Sequence, residues 1–159
     1  MDDSTPLDAP ALSSADGAAR VRPFHLAVRV HDLVGAESFY AGLLGARIGR
    51  RSDRWIDFDL GGHQLTVHLD NKMEPPPEAA NEVDGDQVPV PHFGVVLDLD
   101  AWSEFKDRLH ARGARFLIEP RTRFEGQPGE QGTFFLRDPS GNALEFKGFR
   151  SAESLFDAS

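Results

Sequence analysis

Two stretches of the chain repeat one another, and this duplication constrains the fold more than any other feature. His25-Leu26-Ala27-Val28-Arg29-Val30 and His92-Phe93-Gly94-Val95-Val96-Leu97 both open on a histidine and read as half-buried strands. Each leads into an amphipathic helix and later reaches a Gly-x-x-Leu strand: Gly62-His63-Gln64-Leu65-Thr66-Val67 in the first copy, Gly141-Asn142-Ala143-Leu144-Glu145-Phe146 in the second. Superposing the copies sets His25 opposite His92 and Thr66 opposite Glu145.

The same element order can be followed through both halves. In the first, Phe24, Leu26, Val28 and Val30 share one strand face, and His25, Ala27 and Arg29 the other. Asp32 is placed to cap a helix carrying Ala36, Phe39, Tyr40, Leu43 and Leu44, with Gly45 to end it. Strands are expected at 46–50, 54–60 and 64–69, the last two joined through Gly61-Gly62. In the second half a strand over 92–97 precedes a helix expected to be capped by Asp100. That helix carries Trp102, Phe105 and Leu109, and Gly113 stops it. Strands near 115–119, 132–137 and 142–149 complete it, with a polar loop over 121–131 and a type I turn at Asp138-Pro139-Ser140-Gly141.

Residues 1–20 have no periodicity and read as a disordered tail. The stretch 71–90 is rich in Glu, Asp, Asn and Pro and reads as a linker unable to hold a helix or central strand. The expectation is an α+β fold: one domain over 21–150, made of module 21–70 and module 91–150. The two βαβββ modules would form a curved mixed sheet around a shared cleft.

Composition narrows what such a cleft can do. A net charge of −9, with no cluster of basic residues and interleaved aromatics, argues against nucleic acid and anionic lipid as partners. The absence of cysteine excludes disulfides, thiolate nucleophiles and sulfur-ligated metals, so any cation must be held by nitrogen and oxygen. No run of about 18 apolar residues spans a membrane. The acidic start lacks the basic and apolar regions of a secretory signal, and the cytoplasm is the expected compartment.

The candidate chemistry lies on the polar strand faces. Glu145 shares a face with Ala143 and Lys147, opposite Leu144 and Phe146; His25 and His92 are likewise opposite apolar sets. All three would project from the side of the sheet that the helices leave bare. Two imidazoles and one carboxylate there would bind a divalent metal and leave coordination positions open. Taken singly, a histidine at a strand start is more often structural, and Glu145 could be explained by an ion pair with Lys147 or Arg29. The repeat-equivalent placement of the histidines is what favours a site. Four further histidines compete. His68, on the face of Thr66, is a possible fourth ligand or acid–base group, whereas His31, His63 and His110 read as surface positions.

These residues resemble the vicinal-oxygen-chelate superfamily, which includes glyoxalase I, extradiol dioxygenases and bleomycin-resistance proteins. The resemblance covers about residues 22–150. It rests on Phe24-His25-Leu26-Ala27-Val28, on Phe39-Tyr40-Ala41-Gly42-Leu43-Leu44-Gly45, on Pro91-His92-Phe93-Gly94-Val95, and most specifically on Phe135-Leu136-Arg137-Asp138-Pro139-Ser140-Gly141-Asn142-Ala143-Leu144-Glu145. It implies paired modules, a small-molecule substrate, commonly a homodimer, and a divalent metal on His25, His92 and Glu145. Fe2+ or Mn2+ is favoured, with Zn2+, Ni2+ or Co2+ possible. Glyoxalase-type members use a fourth ligand where this chain has Thr66, so the three-ligand set favours dioxygenase-like chemistry, with His68 and Glu145 as the catalytic candidates. A glyoxalase-type lyase or isomerase is the alternative, and a metal-free binding protein of the bleomycin-resistance kind a third. Phe135 departs from the extradiol pattern, which has tyrosine there.

Overall fold

The computed structural model describes residues 23–74, 80–83, 85–127 and 129–156; the expected tail over 1–20 lies outside the described residues. The first module comprises β1 (His25–Val30), α1 (Leu33–Glu37), β2 (Arg47–Arg51), β3 (Trp55–Leu60) and β4 (His63–Leu69). The second comprises β7 (Phe93–Asp98), α2 (Leu99–Ala111), β8 (Phe116–Arg123), β9 (Gln131–Arg137) and β10 (Ala143–Phe149). Between them lies a hairpin of β5 (Ala80–Val83) and β6 (Asp86–Pro89).

Each module forms one mixed four-stranded sheet, ordered β1-β4-β3-β2 and β7-β10-β9-β8. The first and last strands of each module run parallel and the rest antiparallel. The registers confirm the duplication. Ala27 pairs with Thr66 as Gly94 pairs with Glu145, two residues beyond the respective histidines.

Local sequence explains most element ends. Asp32 caps α1, its carboxylate accepting from Val34 N at 3.1 Å and Gly35 N at 2.7 Å. After α1 the chain continues as a π-helical segment over Ser38–Leu43 instead of a regular helix to Gly45. The wider turn accommodates two adjacent large aromatics, Phe39 and Tyr40, which are both buried and meet edge-on at 5.1 Å. At α2 the cap is Asp98, and Asp100 sits in the first turn, where its charge favours the helix dipole. Gly113, at φ 69°, ends the helix as expected.

Two further expectations are corrected. β8 extends to Arg123, so Arg121 and Arg123 lie on a strand and not in a loop. Within the stretch 71–90 the described residues are more than a linker, because Ala80–Val83 and Asp86–Pro89 pair as the β5–β6 hairpin.

The apolar faces of both sheets and the aromatic residues of the helices merge into a single core that includes Tyr40, Phe58, Leu65, Trp102, Phe105, Phe134, Leu144 and Phe146. Trp102 lies over Gly132 and Gly148, where an added Cβ would fall 2.9 Å and 2.7 Å from it. The turn after β9 ties the modules together. Tyr40 Oη donates to Asp138 Oδ2 at 2.9 Å, His31 N donates to Ser140 Oγ at 3.0 Å, and Asn142 Nδ2 donates to Arg29 O at 2.9 Å. Because the apolar faces share one core, the polar faces of the two sheets look away from it.

Candidate metal centre

Alternation along β7, β9 and β10 places His92, Thr133, Glu145 and Lys147 on the polar face of the second sheet. His92 Nε2 lies 3.1 Å from Glu145 Oε2, while its other ring nitrogen, Nδ1, lies 2.7 Å from the Pro89 carbonyl oxygen. A carbonyl only accepts, so Nδ1 carries the proton and donates it. In the neutral ring this leaves the Nε2 lone pair directed toward the carboxylate. Glu145 Oε1 accepts from Thr133 Oγ1 at 2.8 Å, and Lys147 Nζ stands 3.6 Å from Oε2. Phe135 closes one side, edge-on to the imidazole at 5.2 Å. Gly94 lets β7 lie close beside Glu145, since a Cβ there would collide with the Glu145 backbone carbonyl.

The charges are mutually adjusted. The hydrogen bond to Glu145 raises the His92 imidazole above its ordinary value, against the opposing effect of burial. Burial pushes the Glu145 carboxyl up, but hydrogen bonds from His92 and Thr133 and the Lys147 charge outweigh it and leave the group lowered. A buried carboxylate beside an imidazole with an oriented Nε2 is a donor set suited to a divalent cation bound by nitrogen and oxygen. A proton on Nε2 holds the pair together in a cation's absence.

His25 lies elsewhere. It is exposed at the start of β1, on the polar face of the first sheet. The groove beside His92, of about 230 Å³, is walled by Leu26 and Val28, which belong to the opposite face of β1. Among the described residues no group of three His, Asp or Glu side chains is placed to hold a metal ion. The structure therefore brings together His92 and Glu145 and does not bring His25 to them within one chain.

His68 is exposed on the first polar face, directly across from Trp55. His63 Nδ1 accepts from Phe24 N at 3.1 Å, His31 Nδ1 lies 2.9 Å from Ser140 Oγ, and His110 packs on Phe116 at 4.6 Å. Where the second module has Glu145, the first has Thr66, whose hydroxyl donates to buried Asp57 at 2.6 Å. Arg50 holds the other Asp57 oxygen through Nε at 3.1 Å and Nη2 at 3.0 Å.

Sequence reasoning missed Asp57, Thr133 and the Pro89 carbonyl. Asp57 and Thr133 were visible as polar residues alternating with core positions; a backbone carbonyl carries no such signal.

The sequence profile of the Glyoxalase/Bleomycin resistance protein/Dioxygenase superfamily matches residues 22–146. The chain belongs to this superfamily. A glyoxalase/bleomycin resistance protein/dioxygenase from Alicyclobacillus acidocaldarius is 35% identical, with 84% of this chain and 96% of that one covered and a TM-score of 0.70. A glyoxalase/dioxygenase from Nostoc punctiforme shares the fold at 17% identity, covering 86% and 95% of the chains with a TM-score of 0.59. A lactoylglutathione lyase from Agrobacterium tumefaciens does so at 18%, covering 85% and 96% with a TM-score of 0.56. No curated protein matches the chain. Within the described residues no helix is long and apolar enough to cross a membrane.

Proposed function

We propose that the protein is a metal-dependent enzyme acting on a small oxygen-bearing substrate, with His92 and Glu145 as the cation ligands supplied by one chain. The observation that carries this reading is the His92 Nε2–Glu145 Oε2 pair, with Nδ1–H already committed to Pro89. A ring anchored in this way needs little reorganisation to present Nε2 to a cation. His25 completes the set of two imidazoles and one carboxylate from a second copy of the chain, because the faces carrying His25 and His92 point away from the shared core. A homodimer is thus part of the proposal.

Two nitrogens and one carboxylate around an open cation favour Fe2+ or Mn2+ and dioxygenase-like chemistry. Bound there, the cation would polarise oxygen atoms of the substrate. The chain's own residues do the rest. Phe135 keeps water from one side of the imidazole, Thr133 fixes the carboxylate, and Lys147 offers an ammonium group beside it. His68 from the facing copy is the acid–base candidate of the first module, with Glu145 that of the second.

Lys147 favours a second reading. An ammonium 3.6 Å from a carboxylate places two proton carriers together, as a glyoxalase-type lyase or isomerase requires. Metal analysis of the purified protein with oxygen uptake on a catechol panel separates the readings. Iron together with uptake supports oxygen chemistry. Nickel, zinc or cobalt without uptake supports proton transfer, and a protein that binds ligand but no cation refutes both.

A further inference from the structure

We infer that the β5–β6 hairpin belongs to the site and that Asp86 is a positioning residue for the His92 imidazole; the inference rests on the cation-site reading above. Asp86, at the start of β6, accepts from Arg123 Nη2 at 2.6 Å and Arg121 Nη2 at 2.5 Å, both on β8. The Arg123 side chain is only 2% exposed, whereas Asp86 and Arg121 are half-buried, so the anchor is only partly solvated. Val88, on the same strand, is also buried. Three residues after Asp86, the Pro89 carbonyl receives the His92 Nδ1–H.

These contacts close into a ring. Arg121 pairs in register with Thr133, Thr133 holds Glu145 Oε1, Glu145 Oε2 meets His92 Nε2, and His92 Nδ1 returns to the hairpin that Asp86 fastens to β8. The protonated imidazole is therefore held at both nitrogens, by the sheet on one side and by the hairpin on the other, and in the neutral ring the hairpin holds it through Nδ1–H. A carbonyl that drifts releases Nδ1–H, and the ring can then rotate or move its proton to Nε2, which removes the lone pair from the cation side. Asp86 prevents this by fixing the hairpin to the same sheet that carries Glu145. What reads in the sequence as a spacer is a strut for a ligand.

The test combines two readouts on metal-free and manganese-titrated protein. Heteronuclear NMR of the histidine ring nitrogens, under alkaline conditions that leave the ring neutral, reports the His92 tautomer, assigned by its loss in His92→Gln. Wild type should show Nδ1–H and a bare Nε2. Asp86→Asn should show mixed tautomers and bind Mn2+ about 10- to 100-fold more weakly. Asp86→Glu should restore most of both. Asp59→Asn, which breaks the exposed Arg47–Asp59 pair on the first module, should change neither.

If Asp86→Asn fails to fold, Arg121→Gln, which keeps the Arg123–Asp86 pair, should show the same shifts at smaller amplitude. The inference is overturned if wild type carries its proton on Nε2. It is also overturned if a folded Asp86→Asn, or Arg121→Gln in its place, keeps the wild-type tautomer and affinity. Wild type that binds no Mn2+ while Asp86→Asn still scrambles the tautomer refutes the cation reading and leaves the positioning role standing.

Discussion

The two modules share their framework and differ on their polar faces. At repeat-equivalent positions the second module has His92, Glu145, Lys147 and Thr133, and the first has His25, Thr66, His68 and Trp55. Each face nevertheless keeps one threonine–carboxylate hydrogen bond between its two central strands. In the second module the carboxylate is Glu145 on β10, beside an imidazole; in the first it is Asp57 on β3, beside the Arg50 guanidinium. A guanidinium stays protonated and binds no metal, whereas an imidazole can surrender its Nε2 lone pair. Duplication preserved the scaffold, and the choice of partner for one carboxylate separates a candidate ligand pair from an ion pair.

The comparison can be broken most strongly by forcing the faces to match. Thr66→Glu places a carboxylate where the second module has Glu145, but directly against Asp57, which loses its hydroxyl donor. Denaturant unfolding at neutral pH should show a loss of roughly 2–4 kcal/mol. Adding Asp57→Ser should recover most of it. Retention of full stability by the single variant would show that the two faces are interchangeable.

A second asymmetry lies in the core. The second module seats Trp102 on two glycines, and among the described residues the first has no such seat at its helix. Gly148→Ala drives a methyl into the indole and should destabilise by about 1–3 kcal/mol. Gly42→Ala on the first module's π-helical segment meets nothing within 4 Å and should be neutral or stabilising by up to roughly 1 kcal/mol. Thermal melts of the two variants should shift in opposite directions or show no gain for Gly42→Ala.

Tyr40→Phe tests the tie between the modules. It removes the hydroxyl that donates to buried Asp138, and should lower stability by about 1–2 kcal/mol in denaturant unfolding. The Tyr40 phenol itself is raised well above its ordinary range by burial, then by the Asp138 charge and hydrogen bond, so it stays protonated throughout the working pH range.

The pattern of legibility follows from the kind of signal each feature leaves. Strand alternation at His25–Val30 and Phe93–Asp98, the Asp32 cap and the Asp138–Gly141 turn are local, and the sequence shows them directly. The Asp138-Pro139-Ser140-Gly141-Asn142 motif was the most specific signal, and its structural work is now clear. Asp138 accepts from Ser140 N, Asn142 N, Asn142 Nδ2 and Tyr40 Oη, fastening one module to the other. The face carrying each candidate ligand could also be read from parity. How the two modules turn toward each other could not, because period-two alternation fixes the face of a strand and says nothing of which sheet it meets. The β5–β6 hairpin escaped for a related reason, since Asp86 acts through Arg121 and Arg123, which are 35 and 37 residues further along the chain.

The smallest expected effect is the pH dependence of the metal-free protein. The His92 value is raised above 6.5, so its contribution is complete below that value and is lost as pH rises through the raised one. The Glu145 value is lowered below 4.5, so its contribution is complete above that value and is lost as pH falls through the lowered one. The pair should therefore stabilise most between pH 4.5 and 6.5, and Glu145→Gln should flatten both flanks in melting temperature. Arg50–Asp57 should show the acid flank alone, because only its carboxylate titrates there.

The central claim is that one chain's half of a cation site consists of His92 and Glu145. Calorimetric titration of the metal-free protein with Mn2+ tests it most directly, using wild type, His92→Ala, Glu145→Ala and, from the first module's face, Asp57→Asn. The account predicts saturable binding by wild type, a loss of at least about a hundredfold in each of the first two variants, and near-wild-type affinity in Asp57→Asn. Equal affinity in all four proteins, or a loss confined to Asp57→Asn, would contradict it.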